Sequence, residues 1–144
     1  MRIAAELLSE IVAHALQDAK IECCGVVAVE VAAEAVDESA KTATRVYRAE
    51  NIHASALKFE IDPMELFRLN GAIEDEGWEI GAIYHSHVRS APYPSQTDIG
   101  FAASWPGVEW IIVGLASGEQ PDVRSYLIDG AEVSEVPLVE GQLS

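Results

Sequence analysis

Positive charge is scarce in this chain: 9 Lys and Arg face 24 Asp and Glu, a formal net charge of −15 at pH 7 over 144 residues. That balance repels phosphate backbones and anionic lipid, which argues against nucleic acid or a membrane surface as the primary partner. Long apolar runs are missing as well. No uncharged stretch exceeds ten residues, well short of the roughly 20 apolar residues that a bilayer-spanning helix needs. The start, Met1-Arg2-Ile3-Ala4-Ala5-Glu6, puts an acid where a signal peptide carries its apolar stretch, so a cytoplasmic location is expected. Cysteine is limited to the neighbours Cys23 and Cys24. Adjacent Cα atoms lie about 3.8 Å apart across a trans peptide, too close for ordinary disulfide geometry, and both are expected to be reduced thiols.

Apolar residues, by contrast, make up 49% of the sequence, enough to bury the core of one domain of this length. No repeat or low-complexity linker divides the chain, so residues 1–144 are expected to form a single domain. Leu8, Ile11, Val12, Ala15, Leu16 and Ala19 recur at helical spacing and predict an amphipathic helix over 5–20. Strands are predicted at 25–31 and 42–49, with a hairpin turn around Glu34, Asp37 and Glu38 between them. Asp62-Pro63 supplies a cap and a first-turn proline for a second helix reaching Gly77. A buried strand at 78–85, a short helix at 94–104, and strands at 108–115, 123–129 and near 133–139 complete the pattern. The fold class is therefore α/β, a central mixed sheet flanked by about three helices and not an all-parallel sheet.

Chemistry concentrates in one stretch, Tyr84-His85-Ser86-His87-Val88-Arg89-Ser90-Ala91-Pro92-Tyr93-Pro94-Ser95-Gln96-Thr97-Asp98. Residues two apart on a strand point the same way, so His85 and His87 can present both imidazoles to one point. A loop of this length can fold Asp98 back towards them. Two imidazoles and a carboxylate form a ligand set that catalytic zinc takes, with a fourth position open for water. Ser95-Gln96-Thr97-Asp98 also matches a helix-start capping box, and from these residues alone both readings stand. Other zinc patterns, His-Glu-x-x-His and Pro-Cys-x-x-Cys, are absent.

His-x-His, ten intervening residues and then Asp, with Pro94-Ser95 ahead of the helix, resembles the JAMM motif of the MPN (Jab1/Mov34) metallopeptidases. The resemblance extends over essentially the whole chain, including Asn51 ahead of Phe59-Glu60-Ile61-Asp62-Pro63. It implies an MPN-type domain, a zinc cofactor held by His85, His87 and Asp98, and Glu22, in Glu22-Cys23-Cys24-Gly25, as the general acid/base. It assigns the Ser95 hydroxyl to oxyanion stabilisation. Val88 stands where many members have proline, which removes no ligand.

Ile83 to His87, Ala91 to Asp98, Arg124-Ser125-Tyr126 and the Asp129-Gly130 turn resemble the small bacterial members that act on a ubiquitin-like sulfur-carrier protein ending in cysteine. That resemblance implies release of cysteine from the carrier's Gly-Gly end. Two alternatives accompany it: removal of a ubiquitin-like modifier from lysine, and a non-catalytic MPN scaffold, although scaffolds typically lack these ligands. Arg89, between the ligands in a chain short of cations, is a candidate for holding a substrate carboxylate. Cys24 is read as packing, Cys23 as a thiol beside the site, His14 as solvated on the polar side of the first helix, and His53 as a loop residue. Trp78, Trp105 and Trp110 are read as packing residues, and oligomeric state is left open.

Overall fold

A run of apolar residues buried on both sides organises the chain. In the computed structural model, which describes residues 1–32, 41–116 and 120–141, this run is the strand Cys24–Val31, whose first six residues are all buried. In chain order the elements are β1 (Arg2–Ala4), α1 (Ala5–Gln17), β2 (Cys24–Val31), β3 (Lys41–Ala49), α2 (Pro63–Asp75) and β4 (Glu79–His87). There follow α3 (Gln96–Ala102), β5 (Glu109–Gly114), β6 (Asp122–Asp129), β7 (Glu132–Val136) and β8 (Val139–Gly141).

The strands form one mixed sheet in the order β7-β6-β5-β4-β2-β3-β1-β8. β2 runs antiparallel to both β3 and β4. β4 and β5 are parallel, and the crossover between them carries α3, as a parallel pair requires. β5, β6 and β7 form an antiparallel meander, while β1 lies parallel to β3 and β8.

Strand alternation sorts the side chains into two cores. Val27 and Val29 of β2, Ala82 and Tyr84 of β4, and Ile111 and Val113 of β5 pack with Leu7, Ile11 and Ala15 of α1. Val26, Ala28, Ile83 and Trp110 pack on the opposite side with Leu69 and Ile73 of α2 and Ala102 of α3. His85 and His87 continue the Ile83 side of β4, and are thereby directed to the layer of α2 and α3. At the far end of the first core the α-amino nitrogen of Met1 lies 3.1 Å from Glu109 Oε2, both buried, and Ser125 Oγ donates to Glu109 Oε1 at 2.8 Å.

Several boundaries differ from the sequence expectation. α1 stops at Gln17 because Asp18 leaves helical geometry and its Oδ1 accepts the Lys20 amide at 3.1 Å, a local bond that competes with the helix ladder. Leu16, assigned to the apolar stripe, is 54% exposed. The strand expected near 133–139 is two strands at opposite ends of the sheet, separated at Pro137, which has no N–H to give a ladder. The cap of α2 is as read: Asp62 Oδ1 accepts the Met64 amide at 2.8 Å, with Pro63 in the first turn. The hairpin turn read around Glu34, Asp37 and Glu38 lies outside the described residues. No helix among the described residues is long and apolar enough to cross a membrane.

Gly25 tests this packing. A Cβ there would come within 2.3 Å of the Tyr84 ring and 2.5 Å of the Tyr47 carbonyl oxygen, which belongs to the backbone and cannot rotate away. Gly25→Ala should cost about 1–3 kcal/mol. Gly71→Ala in α2, where nothing lies within 4 Å, should instead stabilise by about 1 kcal/mol through helix propensity. Urea unfolding of the two variants checks both signs.

Candidate active site

The register between β2 and β4 brings distant residues together. Cys24 is paired with His85, and beyond the regular ladder Ser86 N–H donates to the Cys23 carbonyl at 3.2 Å while Ser86 Oγ accepts the Cys23 amide at 2.9 Å. Extending the antiparallel register one residue further sets Glu22 opposite His87. Donor atoms of Glu22, His85 and His87 accordingly lie within 4.8 Å of one another, all three residues buried.

From the other direction, α3 delivers Asp98. Ser95 Oγ accepts the Asp98 amide at 3.1 Å and Asp98 Oδ2 accepts the Ser95 amide at 2.9 Å, the reciprocal pair of a capping box. The same Oδ2 lies 3.1 Å from His85 Nε2 and 3.3 Å from His87 Nε2, and the two Nε2 atoms are 3.1 Å apart. The capping box and the cluster of His85, His87 and Asp98 are one arrangement.

Loop residues 88–95 are held in place from behind. His87 Nδ1 is 2.7 Å from the Ala91 carbonyl; a carbonyl only accepts, so Nδ1 carries a proton and Nε2 is the ring nitrogen directed at Asp98. Tyr126 Oη donates to the Pro92 carbonyl, and Pro92 packs on Gly114, where a Cβ would approach to 2.8 Å. His85 is buttressed differently: the Phe59 ring stacks on its imidazole at 4.4 Å between centroids and 23° between planes. His85 Nδ1 is buried with no hydrogen-bond partner among the described residues.

Burial sets the electrostatics. Desolvation pushes the Glu22 carboxyl up to about 7, opposed by His87 and reinforced by Asp98. Burial would also raise Asp98, but the hydrogen bonds of His85, His87 and the Ser95 amide prevail and hold it well below the usual carboxylate range. Desolvation depresses His85, whereas for His87 the bonds to Asp98 and Ala91 outweigh burial and raise it. Two thiols stand aside from this chemistry, since burial pushes Cys23 up to about 11 and Cys24 up to about 12. Cys24 is a fully buried core residue, as read.

The donor set suits a tetrahedral divalent ion. Zinc bonds of 2.0–2.1 Å imply a ligand–ligand edge of about 3.3–3.4 Å, and the three separations here are 3.1, 3.1 and 3.3 Å. Two imidazole nitrogens and one carboxylate oxygen, with Glu22 alongside and not among the closest three, leave a fourth position open. Beside Glu22 is a groove of about 540 Å³ whose walls include Gln17, Cys23 and Asn51. A second, aromatic pocket of about 170 Å³ has Phe59, Phe101, Trp105 and Trp110 in its walls.

The sequence pattern of prokaryotic homologs of the JAB domain matches residues 4–129. The chain belongs to this family. Among relatives of this JAB-domain protein, the CysO-cysteine peptidase of Mycobacterium tuberculosis is 32% identical over 137 residues, 94% of this chain and 88% of that protein. A desampylase of Haloferax volcanii is 35% identical over 117 residues, 78% of each chain. The solution structure of a protein from Desulfitobacterium hafniense superposes with a TM-score of 0.84 at 26% identity, covering 99% of this chain and 94% of that one. These relatives support a hydrolase of the JAMM type.

Other sequence readings fare unevenly. His14 is half-buried, not solvated: its Nδ1 lies 2.6 Å from the Tyr84 hydroxyl, and burial followed by the Arg48 charge depresses its pKa. His53 pairs with Glu60 at 2.9 Å, both partly exposed. Arg89 is exposed in the loop after His87. Trp110 is buried in the second core, with Trp78 and Trp105 packed against it. Two supports escaped the reading, Phe59 under His85 and Asn51 beside Glu22; both stand in the segment whose family likeness was legible, but nothing in their spacing indicated the contacts.

Ser95→Ala removes the hydroxyl that accepts the Asp98 amide. Stability should fall by about 1 kcal/mol, the usual value of such a cap, as read by urea unfolding in the presence of a chelator.

Proposed function

We propose that this protein is a zinc-dependent peptidase that hydrolyses the amide between the C-terminal Gly-Gly of a ubiquitin-like sulfur-carrier protein and cysteine, with residues 1–144 acting as one catalytic domain. The observation that carries the reading is the convergence of His85 Nε2, His87 Nε2 and Asp98 Oδ2 at 3.1–3.3 Å with the Glu22 carboxyl beside them. His85, His87 and Asp98 are the proposed ligands. Zinc held there would supply Lewis-acid chemistry, polarising a carbonyl and making water more acidic.

The rest of the chemistry belongs to the chain. Glu22 accepts the proton of the attacking water and passes it to the departing amine; burial raises this carboxyl in the metal-free protein, and the charge of a bound zinc would oppose that shift. Ser95 Oγ already accepts from the Asp98 amide at 3.1 Å, which leaves its own proton to donate to the oxyanion that develops on the scissile carbonyl. Arg89, exposed on the loop after His87, is the proposed partner for the free carboxylate of a cysteine leaving group. The carrier's flexible tail is bound as an extended strand. β4 is flanked by β2 and β5, so the tail finds its backbone partners on the loops around the site and not on β4 itself.

The M. tuberculosis relative supports the substrate assignment through its name, CysO-cysteine peptidase, over 94% of this chain. The name desampylase, borne by the H. volcanii relative, favours a second reading, removal of a ubiquitin-like modifier from lysine.

Elemental analysis should find close to one zinc per chain in the purified protein and in Glu22→Gln, and a loss of zinc in a His85→Ala, His87→Ala double variant. Turnover by Glu22→Gln should drop by about 10²-fold or more, the scale of general acid/base catalysis. Near-normal turnover in that variant removes Glu22 from the chemistry, and zinc retained without both histidines removes the ligand assignment.

Substrate choice is tested by mass spectrometry of a carrier ending in Gly-Gly-Cys beside a lysine-linked conjugate of the same carrier. The cysteine form should be cleaved faster to Gly-Gly and free cysteine, and amidating its terminal carboxylate should slow the reaction. Equal cleavage of the lysine conjugate, or indifference to amidation, transfers the assignment to the second reading.

A further inference from the structure

Glu22 lies between α1 and β2, in neither, so no ladder or helix holds its backbone. The register of Cys23 with Ser86 brings it opposite His87, and its own amide and carbonyl are held by another loop. The Glu22 amide donates to the Ser55 carbonyl at 2.8 Å, and the Glu22 carbonyl accepts from Asn51 Nδ2 at 3.0 Å. The same Nδ2 donates to the Lys58 carbonyl at 3.0 Å, and Asn51 Oδ1 accepts the amides of His53 at 3.1 Å and Glu60 at 3.2 Å. Four hydrogen bonds thus saturate one amide side chain that is only 7% exposed. Three of them close residues 51–60 on themselves, and the fourth ties that closed loop to Glu22. The loop also carries Phe59, stacked on His85.

We propose that Asn51 is a positioning residue for Glu22: its amide fixes the 51–60 loop and, through the Glu22 carbonyl, the location of the carboxyl relative to His85 and His87. The inference rests on the reading of Glu22 as the proton carrier. The side-chain type is selective. Asp offers acceptors only, so it keeps the bonds from the His53 and Glu60 amides but faces the Glu22 and Lys58 carbonyls with oxygen, turning two attractions into repulsions. Leu or Ala would leave all four backbone groups without this partner.

A double-mutant cycle with Asn51→Asp and Glu22→Gln separates positioning from mere support of the fold. Turnover is measured on whichever of the two carrier substrates above is cleaved faster, with zinc content measured for every protein. Asn51→Asp should lower kcat by about 10- to 100-fold, the penalty of a misplaced catalytic group, while KM stays within about 3-fold and zinc stays near one per chain. In the Glu22→Gln background the same substitution should have less than about 2-fold effect, because the group it positions is no longer functional. An equal loss in both backgrounds, or no loss in the parent, overturns the proposal. Near-normal turnover by Glu22→Gln itself overturns the underlying reading of Glu22, a separate result.

A second readout needs neither metal nor substrate. In metal-free protein, hydrogen exchange at the Glu22 amide should accelerate in Asn51→Asp while the amides of β4 keep their protection; unchanged protection at Glu22 counts against the proposal. Should Asn51→Asp not fold, Asn51→Ser, which is too short to span the loop, is carried through the same cycle with the same criteria.

Discussion

A single carboxylate oxygen, Asp98 Oδ2, accepts the Ser95 amide and lies against both imidazole Nε2 atoms. A buried carboxylate has to be compensated by donors or by positive charge, and the compensation here reaches in two directions. One fixes where α3 begins, because the amide that bonds Asp98 is the N-cap's own. The other fixes the ends of the two histidine side chains. A seven-residue helix would be marginal on propensity alone; its position follows from this oxygen and from Ala102 in the second core.

The histidines reach that oxygen because β4 lies in the sheet interior and alternates. Tyr84 and Ser86 point to the α1 side, where Tyr84 meets His14 and Ser86 binds the Cys23 backbone. His85 and His87 point to the other. The contact that grips Cys23 on one side of β4 therefore sets Glu22 against the histidines projecting from the opposite side. Rigid elements carry the two imidazoles and Asp98, and a loop closed by Asn51 bonds to the backbone of Glu22. Pre-organisation of this kind fixes the distances between groups before substrate arrives.

Much of this was legible in the sequence because it is local. Asp62-Pro63 announces a helix, Ser95 to Asp98 a capping box, and His85-Ser86-His87 a same-sided pair, each within one turn or one strand step. The pairing of Glu22 with His87 depends on a strand register between segments about 60 residues apart, and only family likeness linked them beforehand. Stacking of Phe59 on His85, the four bonds of Asn51 and the burial of His14 are long-range contacts with no periodic trace. β1 and β8 are three residues each, too short to generate an alternating pattern, and their pairing arises from the path of the chain around the sheet.

The sheet's outer strands carry a consequence for how copies of this protein behave together. β7 contributes five residues with Glu132 and Glu135 exposed, and β8 contributes three. An open edge is a template on which another chain can add a strand, and short, acidic edges offer little ladder and place like charges face to face. The net charge of −15 adds repulsion between copies and further disfavours pairing edge to edge. Short acidic edges of this kind favour contact between copies through side-chain surfaces over extension of the backbone ladder.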